Sequence, residues 1–412
     1  MLETFFEAPF TINRLRASPL VGNYIDGFAQ NLDEQRYAIA TARRYLRASG
    51  HLGHFVKLKN IELNAINSTV IKDFQQHLPE CCCPQSNGGT TKDVERGAKH
   101  FLEYLHNIGC INTQYKPQVE DEYELVKSFR NWLVQHRGLS QSTLYKYCHD
   151  ADKLITALGE DVSQFNAKKL RDFLLKQAKQ QGSGATKTLI SALRMFLRYL
   201  ASQKKCQAGL ERAIPTLANW GHASLPNYLQ TNEVQRILDI CDVNTVVGVR
   251  DRAIILLLVR LGLRAGDVAR LQLTDIDWSD GSIVVSGKNN REVRLPLPQD
   301  VGDAILSYLQ CRQFKDKAVF LRSVAPYRPF SSGSSLSSIV TRAMHRAGVV
   351  SSRYGAHLLR NTAATQMLQQ GASLYEISTV LRHKTIDMTA RYTKVDLSLL
   401  NLVIQPWPEV LQ

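Results

Sequence analysis

GAHLLRNTAATQMLQQGASLYEISTVLRHKTIDMTARYTKV, residues Gly355 to Val395, is the stretch from which the rest of this chain is read. His357 and Arg360 stand three residues apart, which puts both side chains on one face of a helix. That helix continues through Thr362, Ala363, Ala364, Met367 and Leu368, an apolar stripe with small residues suited to close packing. Gly371 falls where a helix ends in the C′ position. Ser373, with Glu376 three residues on, forms a capping box that starts a second helix, ending at Arg382 and His383. A third short helix, TIDMTARYTKV, carries Tyr392.

Each of these side chains alone is ordinary. A lone histidine is usually a surface residue, and a lone tyrosine is usually half-buried in a core. Together they present an imidazole, a guanidinium, a second imidazole and a phenol. Arg and His donors suit a phosphate, and a tyrosine hydroxyl can attack phosphorus. H-L-L-R at His357 to Arg360, L-R-H at Leu381 to His383 and then Tyr392 resemble the tyrosine recombinase, or phage integrase, family. The upstream half of that pattern is present too. LGLRAGDVARL, Leu261 to Leu271, resembles the family's first arginine box, with Arg264 as the arginine and Asp267 as the acid after it. GSIVVSGKNNREVRLPLP, Gly281 to Pro298, resembles the hairpin that carries the lysine, here Lys288, with Arg291 and Arg294 nearby. Clear resemblance covers Leu225 to Leu400, and a looser one covers Val119 to Ser202.

The resemblance implies a mainly α, multidomain fold: helical, SAM-like DNA-clamp bundles and a mixed α+β catalytic domain with a small β-hairpin or sheet. It implies transesterification on duplex DNA through a 3′-phosphotyrosyl intermediate, with Tyr392 as nucleophile. Arg264 and Arg360 then clamp the non-bridging oxygens with planar, permanently charged forks. His357 takes the tyrosine proton, Lys288 protonates the leaving 5′-oxygen, and His383 adds a donor or packs on the nucleophile. Asp267 orients an arginine or the histidine from behind. No cofactor, ATP or metal is expected, because the arginines do the charge work that Mg²⁺ does elsewhere. Two positions depart from the pattern: Asn361 where the family has His, and Arg382 where it often has Gly. Neither falls on a residue with a direct chemical role, and Arg382 is expected to alter DNA contact or packing.

Outward from this region, GVRDRAIILLLVRLGLR reads as a buried helix, a rigid mount for Arg264. GSIVVSG and REVRLPLP alternate and are β-branched, which makes them a hairpin. We assign residues 226–412 to the catalytic domain and its tail, 209–225 to a linker, 114–208 to a core-binding bundle and 1–113 to an N-terminal helical domain. The two bundles share a plan of four helices. Val70 to Phe74 matches Lys169 to Phe173, and Phe101 to Leu105 matches Phe196 to Leu200, so we infer an internal duplication. From Val162 to Lys205 the basic residues are Lys168, Lys169, Arg171, Lys176, Lys179, Lys187, Arg194, Arg198, Lys204 and Lys205, against the single acid Asp172. That excess marks a DNA-binding face.

The formal charge of +14 agrees with a polyanionic partner. No run of 18 or more apolar residues is present, which excludes a spanning helix. MLETFFEAPF lacks the basic start of a secretory signal, so a cytoplasmic protein is expected. The eight cysteines include no C-x-x-C pair and read as reduced thiols. His51 and His54 have helical ligand spacing, but no third ligand box accompanies them, so a surface pair is favoured over a zinc site. The tail after Tyr392 carries Leu399, Leu400, Leu402, Val403 and Ile404, costly in water. We read it as docking on a neighbouring protomer in a homotetramer on DNA, with accessory proteins setting direction. Integration, excision and transposition of a mobile element all fit. The competing readings are a type IB topoisomerase-like relaxing enzyme, against which the tail and the two clamp bundles argue, and a catalytically idle DNA-binding regulator, against which the full reactive set argues.

Overall fold

Apolar stripes at helical spacing gather, among the described residues, into seventeen α-helices with one small sheet, in a computed structural model of the chain. It describes residues 1–62, 65–66, 68–81, 83, 90–111, 123–217, 226–286, 292–383 and 385–395. The chain divides into two compact units. One comprises Met1–Ala65, Asp73–Ile111 and Gly221–Gln412, and the other Ile66–Lys72 and Asn112–Trp220. In the first unit Arg36 lies over the Phe314 ring at 5.4 Å.

The N-terminal helices are α1 (Pro9–Arg16), α2 (Ile25–Glu34), α3 (Ile39–Leu58), α4 (Ser68–His77) and α5 (Thr91–Asn107). Helix α1 has no counterpart in the sequence expectation, because its eight residues carry only Ile12 and Leu15 inward. His51 corrects a second expectation. It is 1% exposed on the inner face of α3, in register with Leu52 and Phe55, while His54 is only half-buried. The pair is not on the surface, and His51 faces His77, Cys81 and Cys83 instead.

The second unit is built on α6 (Glu124–Arg137), α7 (Gln141–Leu158), α8 (Ala167–Gln180) and α9 (Ser183–Ser202). Ser140 and Asn166 cap α7 and α8 by accepting from Thr143 N and Lys169 N. Its core runs from Phe129 and Leu133 through Leu154 and Phe173 to Phe196 and Leu200.

The catalytic region comprises α10 (Thr231–Asp239), α11 (Val246–Arg260), α12 (Ala265–Arg270), β1 (Ile276–Asp277), β2 (Ser282–Ser286), β3 (Glu292–Pro296), α13 (Gln299–Cys311), α14 (Gly333–Arg346), α15 (Ala356–Gln369), α16 (Leu374–Leu381) and α17 (Asp387–Ala390), with a 3₁₀ turn at Arg391–Val395. Helix α11 buries Ala253 through Val259 without a break, as its composition requires. The strands form an antiparallel sheet in the order β1-β2-β3, with Ile283 opposite Leu295 and Val285 opposite Val293. Lys288, in the turn of this hairpin, and the tail from residue 396 lie outside the described residues. Among the described residues no helix is long and apolar enough to cross a membrane.

Candidate active site

The two site arginines are held by backbone carbonyls, which fixes them before any substrate arrives. Arg360, on α15, is 5% exposed. Its Nη1 donates to Gly262 O at 2.5 Å, and its Nη2 donates to Leu381 O. Gly262 has φ +59°, and a Cβ there would collide with Leu381. A glycine is therefore what lets this carbonyl turn toward Arg360. Arg264 is the N-cap residue of α12, and its Nη2 donates to Arg382 O at 2.9 Å. A guanidinium has five N–H donors, so both arginines keep free donors for an anion. Burial and then Arg264 push Arg360 down to about 10, so it stays charged at neutral pH. Burial also lowers Arg264, with Arg382 adding to the effect.

Tyr392 is 1% exposed and packs with Ala364, Leu368, Ile377 and Leu381 in a small core beneath α15 and α16. Its hydroxyl donates to Asn361 Oδ1 at 3.1 Å. Burial pushes the phenol above its ordinary value of 10.0, and Arg391 and Arg360 oppose that. His383 lies parallel to the Tyr392 ring at 6.4 Å, and its Nδ1 is 2.7 Å from Thr389 Oγ1. Burial, then Arg360 and Arg264, bring His383 down to about 4, so at neutral pH it is an uncharged ring. His357, exposed at the rim, is lowered too, first by displaced water and then by Arg391, Arg360 and Arg353. A neutral imidazole can accept a proton, which a base requires.

Arg264, His357, Arg360, His383, Arg391 and Tyr392 line one cleft of about 600 Å³, closed on the other side by Gly333, Ser337 and Thr341 of α14. Five of the six are the sequence-expected residues other than Lys288. Asp267 is not among the lining residues. It is 6% exposed, with one oxygen on Arg382 Nη2 and the other 3.1 Å from Arg270 Nη2. Of the arginines and the histidine that it was expected to serve, the one it meets at the cleft's back is Arg382. Arg382 in turn sits in the left-handed region at φ 52° and presents its carbonyl to Arg264.

Two residues enter that the motifs did not assign. Asn361, read as a departure with no bearing on a reacting residue, holds the Tyr392 hydroxyl and accepts from Arg391 Nη2 at 3.1 Å. Arg391 lies over the Tyr392 ring at 5.1 Å. The signal for each was adjacency: Asn361 follows Arg360, and Arg391 precedes Tyr392. The cleft is walled by Arg264, Arg360 and Arg391, and the Asp267 carboxylate behind it is already paired, an arrangement that suits a phosphate.

Comparison with known proteins agrees with this chemistry. The model of the phage integrase family matches residues 227–398, and two models of its SAM-like N-terminal domains match residues 126–204 and 21–94. The putative integrase/recombinase y4rA of Sinorhizobium fredii (strain NBRC 101917 / NGR234) is 33% identical over 417 residues, 99% of each chain. Tyrosine recombinase XerC of Escherichia coli O157:H7 is 28% identical over 66% of this chain and 91% of its own. Among solved structures, XerH bound to its difH substrate after cleavage gives a TM-score of 0.54 at 17% identity, over 81% of this chain and 93% of that one. A lambda integrase tetramer on a Holliday junction gives 0.51 at 16% identity, over 74% and 87%. The chain belongs to the phage integrase family, the tyrosine recombinases. It is an enzyme of site-specific DNA recombination.

Proposed function

We propose that Tyr392 attacks a phosphodiester of duplex DNA, forming a 3′-phosphotyrosyl bond as the bond to the 5′-oxygen breaks. His357 takes the phenol proton. Arg264 and Arg360 hold the non-bridging oxygens, and Lys288 returns a proton to the leaving 5′-oxygen. Attack by a 5′-hydroxyl of the partner strand reverses each step and reseals the DNA without ATP. Asn361 holds the hydroxyl and releases it as a phosphate takes up the arginine donors. His383, uncharged and parallel to the phenol, keeps the ring in place. The observation that supports this reading is the convergence of a buried tyrosine and two carbonyl-anchored arginines on one cation-walled cleft.

The reading extends to assembly. XerH was solved on its DNA substrate and lambda integrase as a tetramer on a junction. We assign this chain the same duplex partner, a homotetramer joined by exchange of the tail from residue 396, and a cytoplasmic location beside its DNA. Accessory proteins would set direction. The basic residues of α8 and α9 contribute the grip on the duplex.

Covalent trapping tests the proposal. Nicked DNA carrying candidate sites is mixed with the protein and with Tyr392→Phe, then run on a denaturing gel. A slower band with the parent protein alone is expected. Bound DNA with no such band from either protein would favour the idle regulator, and a band from Tyr392→Phe would mean another nucleophile.

A further inference from the structure

Four soft ligands meet in the N-terminal helices, on residues that take no part in the cleft. His51 comes from the inner face of α3, His77 from the last turn of α4, and Cys81 and Cys83 from the segment that follows. Their ligand atoms all lie within 4.8 Å of one another. His51 Nε2 is 3.1 Å from Cys81 Sγ, and His77 Nε2 is 3.3 Å from Cys83 Sγ. A zinc ion with two sulfurs at about 2.3 Å and two nitrogens at about 2.0 Å gives a tetrahedron whose edges run about 3.3–3.8 Å. The two His–Cys separations of 3.1 and 3.3 Å lie just inside those edges, and the 4.8 Å bound on the whole set lies about 1 Å outside them, so small side-chain shifts bring the four atoms onto one ion.

The surroundings point the same way. Phe74 meets the His51 ring at 5.1 Å, and Phe55 meets the His77 ring at 5.0 Å, so the cluster is walled by aromatic carbon. His51 is 1% exposed, and its Nδ1 has no hydrogen-bond partner. Its one polar contact within the protein is therefore the Nε2–Cys81 Sγ approach, toward the other three ligand atoms. Two thiolates and a divalent cation cancel, so a bound zinc ion leaves the cluster neutral in its apolar pocket, and the neutral imidazoles complete the shell. The backbone N–H of Cys83 donates to Cys81 Sγ at 3.2 Å, the kind of bond that stabilises a ligating thiolate. The sequence order is His51, then His77-x₃-Cys81-x-Cys83.

We propose that His51, His77, Cys81 and Cys83 bind one structural zinc ion, which staples the end of α4 and the following segment onto α3. The site has no open position for a substrate, so its role is to hold this helical bundle together.

The full-length protein, purified without added metal, is assayed by elemental analysis. One zinc per chain is expected, with the double variant Cys81→Ser/Cys83→Ser losing it and Cys206→Ser keeping it. If the double variant fails to fold, the parent protein decides the matter in two ways. A mercurial reagent should release one zinc per chain as it titrates the thiols. Cobalt(II) exchanged into the site should give the visible bands of a tetrahedral thiolate complex. Folded parent protein that holds no zinc and gives no such bands with cobalt overturns the proposal. So does full zinc content in a folded double variant.

Discussion

In the first helical bundle Phe28 meets Phe101 edge-on at 5.2 Å and Tyr104 at 5.5 Å. In the second, Phe129 meets Phe196 edge-on at 5.0 Å and Tyr199 at 5.4 Å. The remaining pair, Phe101 with Tyr104 and Phe196 with Tyr199, stacks at 6.4 Å in both. Three rings thus repeat in the same arrangement, which supports the inferred duplication. The surfaces around them diverge. Helix α5 carries Asp93 and Glu95, tied to Arg44 at 3.3 Å and to Lys99. In the second bundle Lys168, Lys169, Lys176 and Lys179 lie on α8, and among the described residues none has a carboxylate within ion-pair distance. In the register that matches Phe74 with Phe173, His77 of the soft-ligand cluster matches Lys176 of this basic face. The ring core specifies the bundle, and the residues around it decide what each copy does. One copy carries the four-ligand cluster for which we propose zinc, and the other carries the basic face for which we propose DNA.

The strongest way to break the comparison is through the rings. Phe101→Ala and Phe196→Ala should each cost about 3–5 kcal/mol, because each empties a fully packed aromatic site. Hydrogen exchange of α5 and α9 reads the two losses separately. Similar losses sharpen the equivalence, and a loss in one copy alone ends it. Charge comes next. Changing Lys168, Lys169, Lys176 and Lys179 together to Gln should weaken DNA binding roughly a hundredfold and make the slope of log affinity against log salt shallower by about 3–4. Lys92→Gln with Arg96→Gln on α5 should change it by less than about twofold. Equal effects would mean that both bundles grip DNA. Not every basic residue of the second bundle points outward. Arg171 and Arg194 donate to the carbonyls of Ala213 and Ile214, at 3.2 and 2.8 Å, and pin the segment after α9.

A smaller difference lies between the helices. Gly97 on α5 occupies the position of Ala192 on α9 when Phe101 is matched with Phe196. A Cβ at Gly97 would come within 2.7 Å of Ala48 Cβ and 2.9 Å of Tyr45 Cα, so α3 and α5 approach more closely than a methyl allows. Gly97→Ala should cost about 1–3 kcal/mol by overpacking. Ala192→Gly should cost about 1 kcal/mol by helix propensity, with the packing of its buried methyl lost in addition. Thermal unfolding of the two variants distinguishes these, and a stabilised Gly97→Ala protein would mean that the helices can part.

The C-terminal region was legible because its cleft residues sit in contiguous boxes, each tied to a local element: Arg360 three residues after His357, His383 at the end of a capped helix, Gly371 at φ +89° where a C′ glycine belongs. What sequence could not supply was contact between elements. Asn361 to Tyr392, and the choice of Arg382 as the arginine that Asp267 meets, depend on how α15, α16 and α12 meet. The soft-ligand cluster was hidden for the same reason. His51 and His54 share a local spacing, yet His51 finds its partners across the bundle, on a different helix and in a segment rich in Pro and Gly.

Asp150 offers the finest test, since the first bundle has no buried carboxylate among its described residues. It is 6% exposed on α7, and its Oδ2 has no hydrogen-bond partner. Burial raises it above the ordinary 3.8, and Lys153, Lys146 and His149 only partly offset that. A carboxyl whose folded pKa is raised destabilises the fold once it must ionise. The penalty is absent below 3.8, grows as pH rises toward the folded pKa, and is constant above it. Asp150→Asn should therefore stabilise the protein by about 1 kcal/mol at neutral pH, with the gain fading on acidification. Urea titrations across that pH range measure it. A variant that loses stability at neutral pH would show that the lysines beside Asp150 hold an ion pair worth more than the cost of burying its charge. The second bundle would then depend on charge in its interior as well as on its face.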